Sequence, residues 1–295
     1  MQLFNGTMRD INGAQQSLFK GQEQISSGKK STTFSGLSGQ VEQFVFLEAR
    51  IDKLQRYEEN NTINRARLQT TKVAVQDMIE VVDDMEDLMT LRRNGAIGED
   101  AAFQQQMKSY IESLASNLNT NFEGRYLFAG TATNRQPVIT EPKVPEPHET
   151  GVPDTSYYQG STESVTMRLE DNIEIEGLLR ADDETFQNLF AAAYQSLEGD
   201  GLKDDSVIAA ALDLLQLGKD QLIALGAEVD ADIVAMDGVI ERQENLRLYY
   251  EGVVGEIADT DILEVSTRVA MDQTILQATF QAFATVSSLR LADFL

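Results

Sequence analysis

PVITEPKVPEPHETGVP, residues 137–153, holds all five prolines of this 295-residue chain. The flanks, 1–136 and 154–295, contain none. A proline inside a helix costs about 3 kcal/mol, so both flanks are free to form long helices, and their hydrophobic spacing predicts that they do. Phe4, Ile11, Leu18 and Ile25 stand seven apart near the start, and Ile262, Val269, Leu276 and Phe283 seven apart near the end. A seven-residue apolar repeat marks a helix packed lengthwise against other helices. The expected fold is mainly α: a long coiled-coil-like helical bundle formed by both chain ends, with a small β-rich outer domain inserted in the middle.

Outward from the proline window, period and turn residues divide the flanks. Residues 3–28 read as an amphipathic helix ended by Gly28, and 29–40 (KKSTTFSGLSGQ) as a loop. Residues 41–93 read as a long helix, with a bend or a fully exposed stretch across the polar run Glu58–Arg67. A further helix runs from Glu99-Asp100 to about Phe122. At Gly124 the period changes: Tyr126-Leu127-Phe128 reads as a strand entering a turn, and SVTMRLEDNIEI (Ser164–Ile175) as a hairpin turning at Asp171-Asn172. A helix begins at Asp182-Asp183 and Gly199-Asp200-Gly201 turns the chain. Residues 204–257 form the second long helix, and Asp259 caps a last one that reaches the C-terminus. No tandem repeat of 20–50 residues is visible.

Composition narrows the chemistry. There is no cysteine, so disulfides, thiol catalysis and cysteine-ligated metals are excluded. The first thirty residues lack the continuous apolar stretch of a secretory leader, and no segment is long and apolar enough to span a bilayer. A soluble chain outside the general secretory route is expected. The formal charge of −24 is uneven. Residues 141–240 carry 22 acids and five bases, whereas 1–60 carry seven of each. An acidic middle opposes nucleic-acid binding, which needs a basic surface. Near-neutral ends suit packing against other copies.

Candidate sites are sparse. Asp230/Asp232 and Asp259/Asp261 are close acidic pairs without the further ligands of a calcium loop, and read more simply as caps or solvated helix faces. His148, the single histidine, lies in the proline window without a partner. Phosphate-loop, nucleophile-elbow and zinc-protease motifs are absent. No enzyme, metal or cofactor is expected. The seven-spaced residues Phe4, Ile11, Leu18, Ile25, Ile262, Val269, Leu276 and Phe283 are the candidate assembly interface. The same spacing also suits a helical hairpin within one chain. What favours assembly is that Leu263, Met271, Ile275 and Phe280 lie on other faces of the last helix, and a helix apolar nearly all round is buried from more than one side.

Three stretches resemble the axial proteins of the bacterial flagellum, the flagellins and their hook-associated relatives. QEQISSGKKSTTFSG (Gln22–Gly36) resembles the link between the family's first two helices, although Phe34-Ser35-Gly36-Leu37-Ser38 stands where the family is usually acidic. NFEGRYLFAGTATNRQPV (Asn121–Val138) is similar to the segment where, in hook-associated members, helices give way to the outer domain; Gly124, Arg125, Tyr126, Phe128 and Gly130 form this junction motif. LQATFQAFATVSSLRLADFL (Leu276–Leu295) resembles the hook-associated ending rather than the shorter one of flagellins. The resemblance spans the chain. It implies an adapter at the hook–filament junction, a ring of copies between hook-associated protein 1 and flagellin. It also implies uncleaved export through the flagellar type III channel to the extracellular flagellum, with a cytoplasmic export chaperone on the C-terminal helix, and neither membrane nor nucleic acid as a partner.

The expected division is 1–35 with 258–295 as a terminal assembly pair, disordered in the monomer; 36–125 with 182–257 as a helical rod; and 126–181 as the outer domain. Residues 138–180 are then expected to be replaceable without unfolding the helices. The competing readings are a flagellin forming the filament itself, and a surface ligand-binding module using Tyr157 and Tyr158 to stack on sugars.

Overall fold

The computed structural model describes residues 2–37, 39–95, 100–139, 155–176 and 179–292. In chain order these form α1 (Gln2–Ser27), a 3-10 turn (Phe34–Leu37), α2 (Val41–Arg93), α3 (Asp100–Leu118), β1 (Asn121–Phe122), β2 (Arg125–Tyr126), β3 (Thr166–Glu170), β4 (Ile173–Glu176), α4 (Glu184–Leu202), α5 (Asp205–Ala258) and α6 (Ile262–Ala292). The chain is mainly helical with a small strand-bearing region in the middle, the fold class expected. It divides into two compact units, Met1–Gln55 with Glu244–Leu295, and Arg56–Gln243. His148 and most of the proline window lie outside the described residues.

In the unit Arg56–Gln243, α2 faces α5 in antiparallel register. Arg65 pairs with Asp237 through two nitrogens, Lys72 with Asp230 at 2.6 Å, and Lys219 with Asp83 and Glu86 at 2.6 and 2.9 Å. Seven residues forward on α2 match seven back on α5, and eleven match eleven. Asp230 is thus a rung of this ladder. The polar run Glu58–Arg67 is not fully exposed: Asn61 is buried, while Glu59, Asn60, Thr62 and Ile63 face water. The helix is unbroken there, because the backbone ladder is indifferent to side-chain polarity when the side chains find partners. Asn61 and Gln243 are both fully buried. The Asn61 amide donates to the Gln243 carbonyl oxygen and to the main-chain oxygen of Leu169, each at 3.1 Å. Gln243 donates to Leu169 as well.

That Leu169 belongs to the hairpin read at Ser164–Ile175. β3 and β4 pair antiparallel around Asp171-Asn172, with an irregularity between Arg168 and Glu170. Met167 and Leu169 point inward onto Leu68, Met236 and Val239. The larger core joins Met78, Met85 and Met89 of α2 to Phe103 and Met107 of α3 and Phe186 of α4.

Several boundaries differ from the expectation. α3 stops at Leu118, because Asn119 and Thr120 tighten into three-residue turns and free Asn121–Phe122 to pair with Arg125–Tyr126. Leu127 and Phe128 therefore follow the strand instead of belonging to it. Gly199-Asp200-Gly201 does not turn the chain. Asp200, fully buried, accepts from Arg92 at 2.6 Å and Gln104 at 2.9 Å. Those bonds hold α4 helical as far as Leu202, where Lys203 ends it in the left-handed region at φ 56°. Asp259 does not cap α6; Asp261 does, accepting from the backbone of Leu263 and Glu264.

The segment 126–181 shares its interior with the helices: Leu127, Phe128, Val138 and Ala181 belong to the same buried cluster as Met78 and Phe103. Residues 138–180 include Val138 of that cluster and Met167 and Leu169, which pack on Leu68 and Met236. Replacing them by a short Gly/Ser linker is expected to uncover Leu68 and Met236 and to leave Asn61 and Gln243 unsatisfied, a loss of several kcal/mol. Thermal unfolding followed by circular dichroism should drop by well over about 10 °C; an unchanged melting temperature would show that the hairpin carries none of the core.

Candidate assembly surface

The unit Met1–Gln55 with Glu244–Leu295 contains α1 packed on α6. The covered positions of α6 are Val265, Val269, Asp272, Leu276, Thr279 and Phe283, at alternating steps of four and three. On α1 they include Ile11, Ala14, Leu18, Gly21 and Ile25. The structure thus brings six of the eight seven-spaced residues to the seam between the two helices of one chain. Ile262, at the helix start, is 53% exposed, and the side chain of Phe4 lies outside the described residues.

The seam is keyed by two polar contacts and a notch. Ser17 donates to Asp272 at 2.6 Å, which explains a carboxylate on the covered face. Arg268 donates to Gln24 at 2.7 Å. Between them Gly21 is buried, and a Cβ there would sit 2.4 Å from Cγ2 of Val269. Valine is stiff at χ1, so the helices approach closely here only because residue 21 has no side chain.

The other faces stay uncovered. Phe19 is 70% exposed, Leu263 78% and Met271 66%, and Ile275 and Phe280 are also exposed. Sequence reading selected the seven-spaced stripe; the exposed apolar surface is instead the set of residues off that stripe. Their lack of any intrachain cover was the signal available, and it was legible only as an excess of apolar residues around α6.

The junction motif builds a tight turn and a buried contact. Glu123 and Gly124 both have positive φ, 51° and 80°, and form the two-residue loop between β1 and β2. Two positive φ values give the primed turn that matches strand twist. The Asn121 side chain accepts from the Gly124 N–H at 2.8 Å. Arg125 is exposed and Tyr126 half-buried. Phe128 is fully buried, edge-on to Phe186 with ring centres 6.1 Å apart. Gly130 has φ 58°, and a Cβ there would lie 2.2 Å from the carbonyl oxygen of Ser161 and 2.7 Å from that of Glu163. Only glycine fits both the dihedral and the space.

The tyrosine pair is bound into this region. Tyr157 stacks at 4.6 Å on Phe190 and donates to the Ala181 carbonyl oxygen. Tyr158 donates to the Ser161 carbonyl, and burial, with Asp182 nearby, pushes its hydroxyl up to about 12. Both rings are committed to packing, which leaves the sugar-stacking reading without its platform. A cleft of about 200 Å³ beside Leu68 and Val229 carries Glu228 and Asp232 one turn apart on α5. Burial, then the neighbouring Glu228, raises the Asp232 pKa. Among the described residues no group of three or more His, Asp or Glu is placed to hold a metal ion, and no helix is long and apolar enough to cross a membrane.

Comparison with known proteins finds a likeness to flagellar proteins. The family model for the bacterial flagellin N-terminal helical region matches residues 2–133. Flagellar hook-associated protein 3 of Escherichia coli K12 is 22% identical over 98% of this chain and 96% of its own length. Among solved structures, one described as a flagellar hook-associated protein from Vibrio parahaemolyticus superposes with a TM-score of 0.59 at 15% identity, covering 73% of this chain and 96% of that one. Bacillus cereus FlgL does so with a TM-score of 0.53 at 16% identity, over 67% of this chain and 98% of that one.

Two substitutions test this geometry. Leu276→Asp places a carboxylate inside the α1·α6 seam and should cost that pairing about 3 kcal/mol or more; proteolysis should then attack α1 while the melt of 56–243 stays unchanged. Gly130→Ala should destabilise the unit 56–243 by about 2 kcal/mol or more, through strain at positive φ and the two carbonyl clashes, read as a lower midpoint in urea. A silent Gly130→Ala would mean that the loop 130–133 relaxes freely.

Proposed function

We propose that this chain is the adapter at the hook–filament junction, linking hook-associated protein 1 to flagellin through a ring of its own copies. The observation that carries this reading is the likeness to flagellar hook-associated protein 3 along nearly the whole length of both chains. The C-terminal stretch Leu276–Leu295 supports it in the same direction.

In this reading 1–35 with 258–295 is the assembly core, 36–125 with 182–257 the rod and 126–181 the outer part. The seam residues Ile11, Leu18, Ile25, Val269, Leu276 and Phe283 hold α1 on α6, with Phe4 and Ile262 at opposite ends of the same stripe. The uncovered residues Phe19, Leu263, Met271, Ile275 and Phe280 then meet neighbouring copies. A single seam leaves so much apolar surface in water that the far ends of α1 and α6 are not ordered in the isolated monomer, where each residue fixed costs roughly 1–2 kcal/mol of backbone entropy. Before assembly the same α6 surface suits a cytoplasmic export chaperone. Export runs through the flagellar type III channel without cleavage, and the working place is the extracellular flagellum.

The second reading is a flagellin that builds the filament itself, favoured by the match of the flagellin N-terminal region to residues 2–133. Deleting the gene separates the two. A junction adapter's absence should leave flagellin synthesised but lost to the medium, with swimming abolished. Absence of flagellin from both cells and medium would sink the adapter reading and support the filament one.

A further inference from the structure

The nine methionines of the chain divide between two environments. In the unit Arg56–Gln243, Met78, Met85, Met89, Met107, Met167 and Met236 are all buried, none more than 4% exposed. The first four belong to the larger core, and the other two to the layer between the β3–β4 hairpin and α5. Among the described residues of the terminal unit the arrangement is reversed: Met8 on α1 is 43% exposed and Met271 on α6 66%. Met271 precedes the seam residue Asp272 and lies off the seam. Leu263, Met271 and Ile275 follow one another at steps of eight and four, so they share one face of α6, and all three are exposed. A face so exposed is reachable from water whether or not the helix end is ordered.

We propose that Met271, with Met8 as a second position, is the oxidation site of the unassembled chain towards hydrogen peroxide and related two-electron oxidants, and that its sulfoxide disables the Leu263–Met271–Ile275 strip as a contact surface. In the reaction a lone pair of the thioether sulfur attacks one peroxide oxygen. The S–O bond forms as the O–O bond breaks, the second oxygen leaves with the electron pair, and the proton of the first oxygen passes to it. One methionine is oxidised to sulfoxide and one peroxide is reduced to water. Susceptibility follows access: a core methionine reacts only when its unit opens, and core openings are the rarest. The product turns a flexible apolar side chain into a polar one. Burying that polar group without a donor is unfavourable, so a strip that serves by leaving water loses its use, while the core of 56–243 stays intact. The lesion is reversible, because methionine sulfoxide reductases return each epimer to the thioether. The consequence for assembly rests on the adapter reading above; the selectivity of oxidation does not.

Peptide mapping by mass spectrometry after timed exposure of the purified full-length chain to hydrogen peroxide tests the selectivity. Trypsin separates the sites: Met271 is the sole methionine of 269–290 and Met236 of 220–242, while Met78, Met85 and Met89 share 73–92. Met271 is expected to gain oxygen at least about tenfold faster than the methionines of 73–92 and 220–242, and sulfoxide reductases with dithiothreitol should remove it. Equal rates in these peptides would overturn the site. The consequence is read in cells, with the amount of each variant matched by immunoblot. Met271→Gln, polar like the sulfoxide, should lose most swimming and shed flagellin as the gene deletion does. Met271→Leu, apolar and inert to peroxide, should swim as the wild type. Wild-type swimming by Met271→Gln overturns the proposal, and so does loss of swimming by both variants, which would make the thioether itself the requirement. A gene deletion that leaves swimming intact would remove the adapter reading and the assembly consequence with it, and leave the oxidation map standing.

Discussion

The packing of α2 against α5 at one register organises the unit Arg56–Gln243. Three charged rungs repeat along it, but each is substantially exposed, and exposed pairs contribute little, up to about 1 kcal/mol. Their proton affinities show mutual engagement: hydrogen bonds from Asp83 and Glu86 raise the Lys219 pKa, while Lys219 and then Gln216 lower that of Glu86. A lowered carboxylate pKa stabilises above its unfolded value and is lost on acidification, so this rung weakens as pH falls into the carboxylate range. The apolar layers supply the energy, and the buried Asn61–Gln243 pair supplies the register. Sliding α2 by one turn would strand two amides in a dry interior at about 1–3 kcal/mol each.

The strand-bearing middle depends on that register. The carbonyl of Leu169 accepts from both buried amides, so the hairpin sits where the polar layer is and nowhere else. The junction segment is held mainly through backbone. The Asn119 side chain, just past the end of α3, accepts from the N–H of Val138 and donates to its carbonyl oxygen, each at 2.9 Å, as a strand would. Ala181 donates to Phe128, and Ser161 to Ala129. Backbone bonding of this kind requires close approach, and Gly130 permits it.

The terminal pair is built differently. Its seam is narrow, notched at Gly21 and flanked by uncovered Phe19, Leu263 and Met271. Such a surface is apolar enough to gain by burial at roughly 25 cal/mol per Å², and nothing in the helix pair itself supplies the other side. The acidic middle of the sequence, with 22 acids to five bases over 141–240, keeps the remainder of the chain in water.

Where helices lie was legible without coordinates. The confinement of proline to Pro137–Pro153 and the three-and-four spacing of residues such as Met78, Val82, Met85 and Met89 located α2, α5 and α6 to within a residue or so at most ends, and alternation located the β3–β4 hairpin. These are local properties, and local sterics and periodicity decide them. What the seven-spaced stripes touch was not local. Ile11 and Leu276 carry the same spacing whether the partner helix belongs to this chain or to another, and only the α1·α6 packing placed them inside one chain and left Phe19 and Met271 outside. The unbroken helix through Glu58–Arg67, the continuation of α4 past Gly199 and the burial of Leu127 and Phe128 share that cause. Each depends on a partner distant in sequence, Leu169 for Asn61, Arg92 for Asp200 and Phe186 for Phe128, and such pairings exist only once the chain has folded back on itself.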